Sequence, residues 1–237
     1  MLVDEHYKLL IYSSTSLKIA LYFLLLSLFS TITISQTESK LYLKTLEQIE
    51  SKQYKKALKN IDQAIKTEPQ EKYIHTKIKI LNALNEHPKK IIEFLGPNIR
   101  QYNTPTLYLE RGMNYELLYR FQDAILDYTE AANKAKEDSV LSLALDRRGT
   151  LYHHIRKYKL AQQDLERAYS IDSNSFSICN NLSIVLDDLN QPEEAKRLLL
   201  KIVEKDSLNY QATMNLGFLS SNNEQFEEAL FYLNKAL

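Results

Sequence analysis

LERGMNYELLYRFQDAILDYTEA, residues 109–131, and DRRGTLYHHIRKYKLAQQDLERA, residues 146–168, are one pattern written twice. Arg111-Gly112, Tyr115, Phe121, Ala124, Asp127, Tyr128 and Ala131 fall opposite Arg148-Gly149, Tyr152, Tyr158, Ala161, Asp164, Leu165 and Ala168, always 37 residues apart. Onward, Ala161, Ala195 and Ala229 are spaced 34 apart, as are Gly149, Ser183 and Gly217. Backward, Ala57 precedes Ala124 by 67 residues, about two units. Three of the four glycines hold one place in the unit, so the chain is an array of internal repeats.

Composition agrees with a helical array. Four glycines and five prolines in 237 residues favour long helices over a turn-rich β architecture. Thirty basic residues balance thirty acidic ones. Without Asp4, Glu5, Lys8 and Lys18 of the first 36 residues, 28 face 28. A neutral body argues against nucleic acid or an acidic membrane surface as the main partner. The single cysteine, Cys179, permits no intramolecular disulfide and no Cys-rich metal site.

The pattern resembles the tetratricopeptide repeat family, whose 34-residue unit is a helix–turn–helix hairpin. Its signatures are a large residue at position 4, Leu and a small residue at 7 and 8, and Tyr at 11. An aromatic at 17, Ala at 20, a large residue at 24, Ala at 27 and often Pro at 32 follow. Leu216-Gly217, Phe226, Ala229, Leu233 and Ala236 fit this, as do Leu182-Ser183, Leu186, Ala195, Leu199 and Ile202. Tyr54, Ala57, Ile61, Ala64 and Pro69 fit the second-helix half of a first unit whose first helix matches poorly.

The resemblance implies an all-α superhelix, or solenoid, of about six hairpins. They span 38–71, a degenerate 72–104, then 105–138, 142–175, 176–209 and an incomplete 210–237. In the degenerate unit, Ile91 stands where alanine is expected and Gly96-Pro97 reads as a break. Positions 8 and 20 are expected where the two helices of a hairpin come closest, admitting only Gly, Ala or Ser. Large residues at 4, 7, 11, 17 and 24 would fill the space between hairpins, a face that only stacking buries. His87-Pro88, Thr104-Pro105 and Gln191-Pro192 read as helix starts with proline at the first helical position.

Residues 1–36 form a leader. Its apolar core, IALYFLLLSLFSTITI over 19–34, follows Lys18 and resembles a secretory signal, with cleavage expected after Ser35. The alternative is a retained anchor over 19–34, although spanning a bilayer takes roughly 20 apolar residues. The expected location is therefore exported, periplasmic or envelope-associated, in a bacterium. Translation from Leu17 would give an ordinary signal start, and no cysteine follows the run to carry a lipid. At the other end, Phe226, Ala229, Leu230, Leu233 and Ala236 are expected on an open apolar face. Self-association through this last hairpin, a partner or further residues would cover it.

Catalytic motifs are missing from the sequence: no Walker loop, Gly-rich dinucleotide turn, His-Glu-x-x-His, Gly-x-Ser-x-Gly or Cys-x-x-Cys. Neither enzyme, cofactor nor metal is expected. His153-His154 point about 100° apart on a helix and suit no shared metal. Arg111 with Asp127, and Arg148 with Asp164, repeat at positions 7 and 23 and read as ion pairs bracing each hairpin.

In the family, positions 2, 5, 6, 9, 12 and 13 of the first helices line a concave groove. The resemblance carries these onto Leu109 and Met113 in unit three, and onto Asp146, Arg147, Thr150 and His153 in unit four. It carries them onto Asn180, Asn181 and Ile184 in unit five and Met214, Asn215 and Phe218 in unit six. Glu116, Asp187 and Ser221 also fall at groove positions. Asn181 and Asn215 share position 6, where an amide can donate to and accept from an extended main chain. The Lys/Asn clamp of chaperone-binding members is absent, since Asp146 and Thr150 stand in its place. The expectation is a non-catalytic scaffold or adaptor for a protein or peptide partner, binding no nucleic acid and touching membrane only through an uncleaved leader. Alternatives are the sensory or regulatory region of a longer signalling protein and an accessory subunit of an enzyme complex.

Overall fold

The computed structural model describes residues 40–236; the signal, anchor and cleavage expectations lie outside them. Among the described residues there are twelve helices and no strand. They are α1 (40–50), α2 (Tyr54–Thr67), α3 (Glu71–Ala83), α4 (Pro88–Tyr102), α5 (Pro105–Leu117) and α6 (Phe121–Lys134). After these come α7 (Asp138–His154), α8 (Tyr158–Ile171), α9 (Phe176–Asp188), α10 (Pro192–Lys205), α11 (Tyr210–Asn222) and α12 (Phe226–Lys235). The fold class is all-α, of the α–α solenoid type. Two compact units divide between Glu86 and His87.

In the first unit, α1 to α3 enclose Ala57, Ile61, Ala64, Tyr73 and Ile80, with Leu41, Tyr42 and Ile49 of α1 packed against them. The weak sequence match of α1 has a local reason. Lys44 and Gln48 stand where Leu and Tyr are expected, and Thr45 occupies the small-residue position. Thr45 is fully buried, its hydroxyl donating to the Leu41 carbonyl at 2.8 Å. Gln48 instead accepts from Asn60 of α2 (2.9 Å).

In the second unit, α5–α6, α7–α8, α9–α10 and α11–α12 pack as hairpins, and each second helix packs on the next first helix. The first helices also touch one another, α5 with α7, α7 with α9 and α9 with α11, forming one continuous inner row. The expected break at Gly96-Pro97 does not occur: α4 runs through both residues. Buried Ile91, Leu95 and Ile99 hold one face of the helix in place across the proline. The Asn98 amide donates to the Phe94 carbonyl (2.7 Å) beside it. The 37-residue spacing between units three and four is absorbed by α7, 17 residues long against 13 for α5, α9 and α11.

Six helices end in the same turn. Lys52, Asn85, Tyr119, Arg156, Asn190 and Glu224 all adopt left-handed backbone, with φ between 52° and 61°. The amide after each reaches back five residues: Gln53 to Gln48, Glu86 to Leu81, Arg120 to Tyr115, Lys157 to Tyr152, Gln191 to Leu186 and Gln225 to Ser220. This is a Schellman closure, which satisfies carbonyls at a helix end and ordinarily favours glycine. None of the six is glycine, so the geometry is held by tertiary packing against the local preference of L-residues.

In the first hairpin, Thr45 overturns the limit to Gly, Ala or Ser. In hairpins three, four and six the small-residue position works as expected, with one correction. A Cβ on Gly112 would lie 2.6 Å from Tyr128 Cε1, and one on Gly217 would lie 2.7 Å from Leu233 Cγ and Cδ2. On Gly149 it would lie 2.8 Å from Leu165 Cγ and 3.3 Å from the Ala161 carbonyl oxygen. The side chain that closes on position 8 is therefore chiefly that of position 24, one turn beyond the alanine of position 20. On α12, Phe226, Leu230 and Phe231 are exposed, while Ala229 is buried.

Two substitutions separate packing from propensity. Gly149→Ala, which intrinsic helix preference alone favours by about 1 kcal/mol, is expected to destabilise by about 1–3 kcal/mol through overpacking. Gly96→Ala, with nothing within 4 Å of the new carbon, is expected to stabilise by up to about 1 kcal/mol. Urea unfolding of both variants checks the opposite signs. By the same method, Arg156→Gly is expected to stabilise by about 0.5–1 kcal/mol, because left-handed backbone costs an L-residue roughly 1–2 kcal/mol and glycine recovers part of that.

Candidate functional site

The inner row is built on paired helices, and the pairing is braced by charge. Arg111 Nε and Nη2 donate to Asp127 Oδ2 and Oδ1 at 2.7 and 2.6 Å. Arg148 repeats the fork on Asp164, at 2.7 Å for both bonds, and adds a bond to Thr129 of the preceding hairpin (3.1 Å). The expected ion pairs are thus bidentate and structural, since planar guanidinium matches carboxylate geometry. Burial holds the Asp127 carboxyl above the usual carboxylate range, with the Arg111 bonds opposing it. The bond to Asp127 in turn raises the Arg111 guanidinium.

Along the inner row, a second set of bonds joins successive first helices. Asn181 donates to Asp146 (2.8 Å), and Asn215 donates to Asn180 (3.2 Å); each bond links position 5 of one hairpin to position 6 of the next. Seven residues later in each helix, His153 meets Asp188 (2.6 Å) and Asn222 donates to Asp187 (2.8 Å), linking position 12 to position 13. Seven residues is two helical turns, about 10.5 Å. The rungs therefore bound a regular cell between each neighbouring pair, α7–α9 and α9–α11, with position 9 inside it.

Several sequence-expected groove residues prove to be parts of this ladder or of the core. Leu109 is 5% exposed and packs with Ala124, Tyr128 and Ala131, because an apolar residue at position 5 cannot accept a rung and turns inward instead. Asp146 and Asn180, 5% and 3% exposed, are buried acceptors, and Ser177 adds a second bond to Asp146 (3.2 Å). Thr150 donates to the Asp146 carbonyl (2.8 Å), Arg147 lies 3.7 Å from Glu116, and Met113 and Met214 are half-buried. Glu116 also accepts from the Tyr128 hydroxyl at 2.7 Å.

Four of the expected residues do come together around open space. Ile184, Asp187, Asn215 and Phe218 line a cleft of about 300 Å³ between α9 and α11, with Asp188, Asn222 and the aliphatic Leu199 and Leu219. Ile184 is 37% exposed and Phe218 53%, unusual for large apolar side chains in a packed row. The Asn215 amide gives its N–H₂ to Asn180, so its oxygen is left to accept. Asp188 and Asn222 were missed in the sequence, although both stand at position 13, itself a groove position. Among the described residues no cluster of three His, Cys, Asp or Glu could hold a metal, and Cys179 is buried. None of the described helices is long and apolar enough to cross a membrane.

With this geometry in place, the family model for the tetratricopeptide repeat matches residues 143–175, the hairpin of α7 and α8. The chain carries a tetratricopeptide repeat. No curated protein matches it in sequence. In structure it is similar to a tetratricopeptide repeat protein from Parabacteroides merdae ATCC 43184, with 16% identity and a TM-score of 0.70 over 84% of this chain and 78% of that one. PilW, a widely conserved type IV pilus biogenesis factor, gives 15% identity and a TM-score of 0.70 over 83% and 90% of the two chains. YrrB, a repeat protein with an unusual peptide-binding site, gives 21% identity and a TM-score of 0.61 over 74% and 90%. At these identities the likeness is one of fold. Repeats of this family serve as protein–protein interaction scaffolds and bind protein or peptide partners.

The braces of this repeat protein are testable by a double-mutant cycle. Asp127→Ala is expected to cost about 2–3 kcal/mol, since it strands a partly buried guanidinium. The coupling energy with Arg111→Ala is expected at about 1–2 kcal/mol. Urea unfolding of the two single variants and the double variant measures it.

Proposed function

We propose that this protein is a non-catalytic interaction scaffold that holds an extended segment of a partner protein along its inner row, centred on the cleft between α9 and α11. The observation that carries this reading is the exposure of Ile184 and Phe218 within a cleft that also contains the acceptor oxygen of Asn215. An apolar side chain of the partner would pack between Ile184 and Phe218, and a main-chain N–H would donate to Asn215. Each contact uses a group that the fold itself leaves unsatisfied, so binding need not break the ladder. The absence of catalytic motifs in the sequence supports a scaffold over an enzyme.

The apolar 19–34 run supports export, with the repeats working in the periplasm or at the envelope. The mature chain would then begin at Gln36, and intact mass of the protein from its native host tests this. A species retaining residues 2–35 overturns cleavage and leaves the anchor.

A photo-crosslinking residue placed at Phe218 in the native host is expected to capture a partner protein. The same residue at Leu126, exposed on α6, is expected to capture none. Partner adducts at Leu126 with none at Phe218 would place binding on the second helices and refute the groove reading. Ile184→Asp is expected to weaken partner binding by about tenfold or more, from the lost burial of a large aliphatic group worth roughly 1.5–3 kcal/mol.

A further inference from the structure

We infer that the segment this cleft selects is basic as well as apolar: a large aliphatic or aromatic side chain with a lysine or arginine close beside it. The inference rests on the groove reading and narrows it to one chemistry.

The argument is one of uncompensated charge. Helix α9, FSICNNLSIVLDD, carries two carboxylates and no lysine or arginine, and α11, YQATMNLGFLSSN, carries no acidic or basic side chain at all. Both carboxylates, Asp187 and Asp188, line the cleft, and no ammonium or guanidinium lines it with them. The cations of this region sit elsewhere. Lys196 is bound to Glu228 (2.7 Å), Lys201 to Tyr169 (3.0 Å) and Lys205 to Asn174 (2.5 Å), while Arg147 lies toward Glu116. This contrasts with hairpins three and four, where Asp127 and Asp164 are each answered by an arginine fork.

The partners that Asp187 and Asp188 do have are weak counter-charges. Asp187 Oδ2 accepts from the neutral amide of Asn222, and Asp188 Oδ2 meets the His153 imidazole. Oδ1 of each carboxylate takes no donor among the described residues, so both can accept from a ligand. These oxygens lie at the second rung, whereas Ile184 and Phe218 sit one turn nearer the helix N-termini. A peptide whose apolar residue fills the cell therefore brings a neighbouring side chain to the acidic rung. An acidic segment would meet like charge there, and a neutral one would leave the two carboxylates uncompensated.

The full chain is tested against an array of synthetic octapeptides, each holding one central Leu, Ile or Phe flanked by Lys/Arg, by Ser/Gln or by Asp/Glu. Affinities are then measured for the peptides it retains. Lys/Arg-flanked peptides are expected to bind best, with affinity falling as salt rises. Asp187→Asn with Asp188→Asn, whose amide oxygens can still accept at the second rungs, is expected to weaken them roughly fivefold to tenfold, with a melting temperature close to the parent's. If neutral or acidic peptides bind equally well, and lose binding in Ile184→Asp but not in the Asn variant, the groove reading stands and the basic specificity is overturned. If no peptide of any class binds in a manner sensitive to Ile184→Asp, both fail.

Discussion

A missing side-chain carbon at position 8 is the constraint on which hairpins three, four and six depend. At Gly149 the added atom would collide with Leu165 and press on the Ala161 carbonyl, and equivalent collisions occur at Gly112 and Gly217. Bare backbone at that point lets the second helix lay its position-24 side chain directly across the first. Interiors packed at near-crystalline density offer no slack for the alternative. Once the hairpin has closed in this way, its remaining large residues have no partner within the unit and must be buried by the next hairpin. The buried set Leu182, Val185, Leu186, Leu199, Ala212 and Leu216 spans two hairpins for that reason.

Polar contacts then set how neighbours meet. Hydrophobic contact between hairpins is permissive about sliding, whereas the rungs from Asp146 to Asn181 and from Asn180 to Asn215 have direction. A carboxylate can only accept, so Asp146 dictates which end of the Asn181 amide faces it. The arginine forks brace within a hairpin, and the rungs brace between hairpins. A left-handed residue closes the turn of each of these hairpins. Tyr119, Arg156 and Glu224 hold that conformation without the freedom of glycine, which shows packing overriding local preference.

Much of this was legible in the residues because the constraints are local to one unit. Glycine at position 8, alanine at 20 and the Arg–Asp spacing each follow from contacts between two helices joined by a short turn. What could not be read is what the stack decides. Pro97 reads as a break because the sequence does not display Ile91, Leu95 and Ile99 buried together along the face that carries α4 through. The first helix reads weakly because Thr45, Lys44 and Gln48 replace consensus types, with hydrogen bonds substituting for packing. Leu109, Asp146 and Asn180 read as groove residues because family positions describe direction from the helix axis. Whether such a side chain reaches solvent depends on the neighbouring hairpin.

The rungs also explain why the open cleft lies where it does. Positions 5 and 6 are consumed by one rung and positions 12 and 13 by the next, so position 9 is the inner-face residue left free between them. Along the row position 9 is Met113, Thr150, Ile184 and Phe218. Met113 packs into the core and the Thr150 hydroxyl is bonded to its own helix, whereas Ile184 and Phe218 stay exposed. The cell between α9 and α11 is the one whose two position-9 residues are both large, apolar and uncovered. Its second rung supplies carboxylates without a strong cation. A ladder that registers hairpins thus also partitions the inner face into cells, and the residue at position 9 sets what each cell can hold. Changing position 9 alone would alter the chemistry of a cell without disturbing the rungs that build it, which separates specificity from stability in this array.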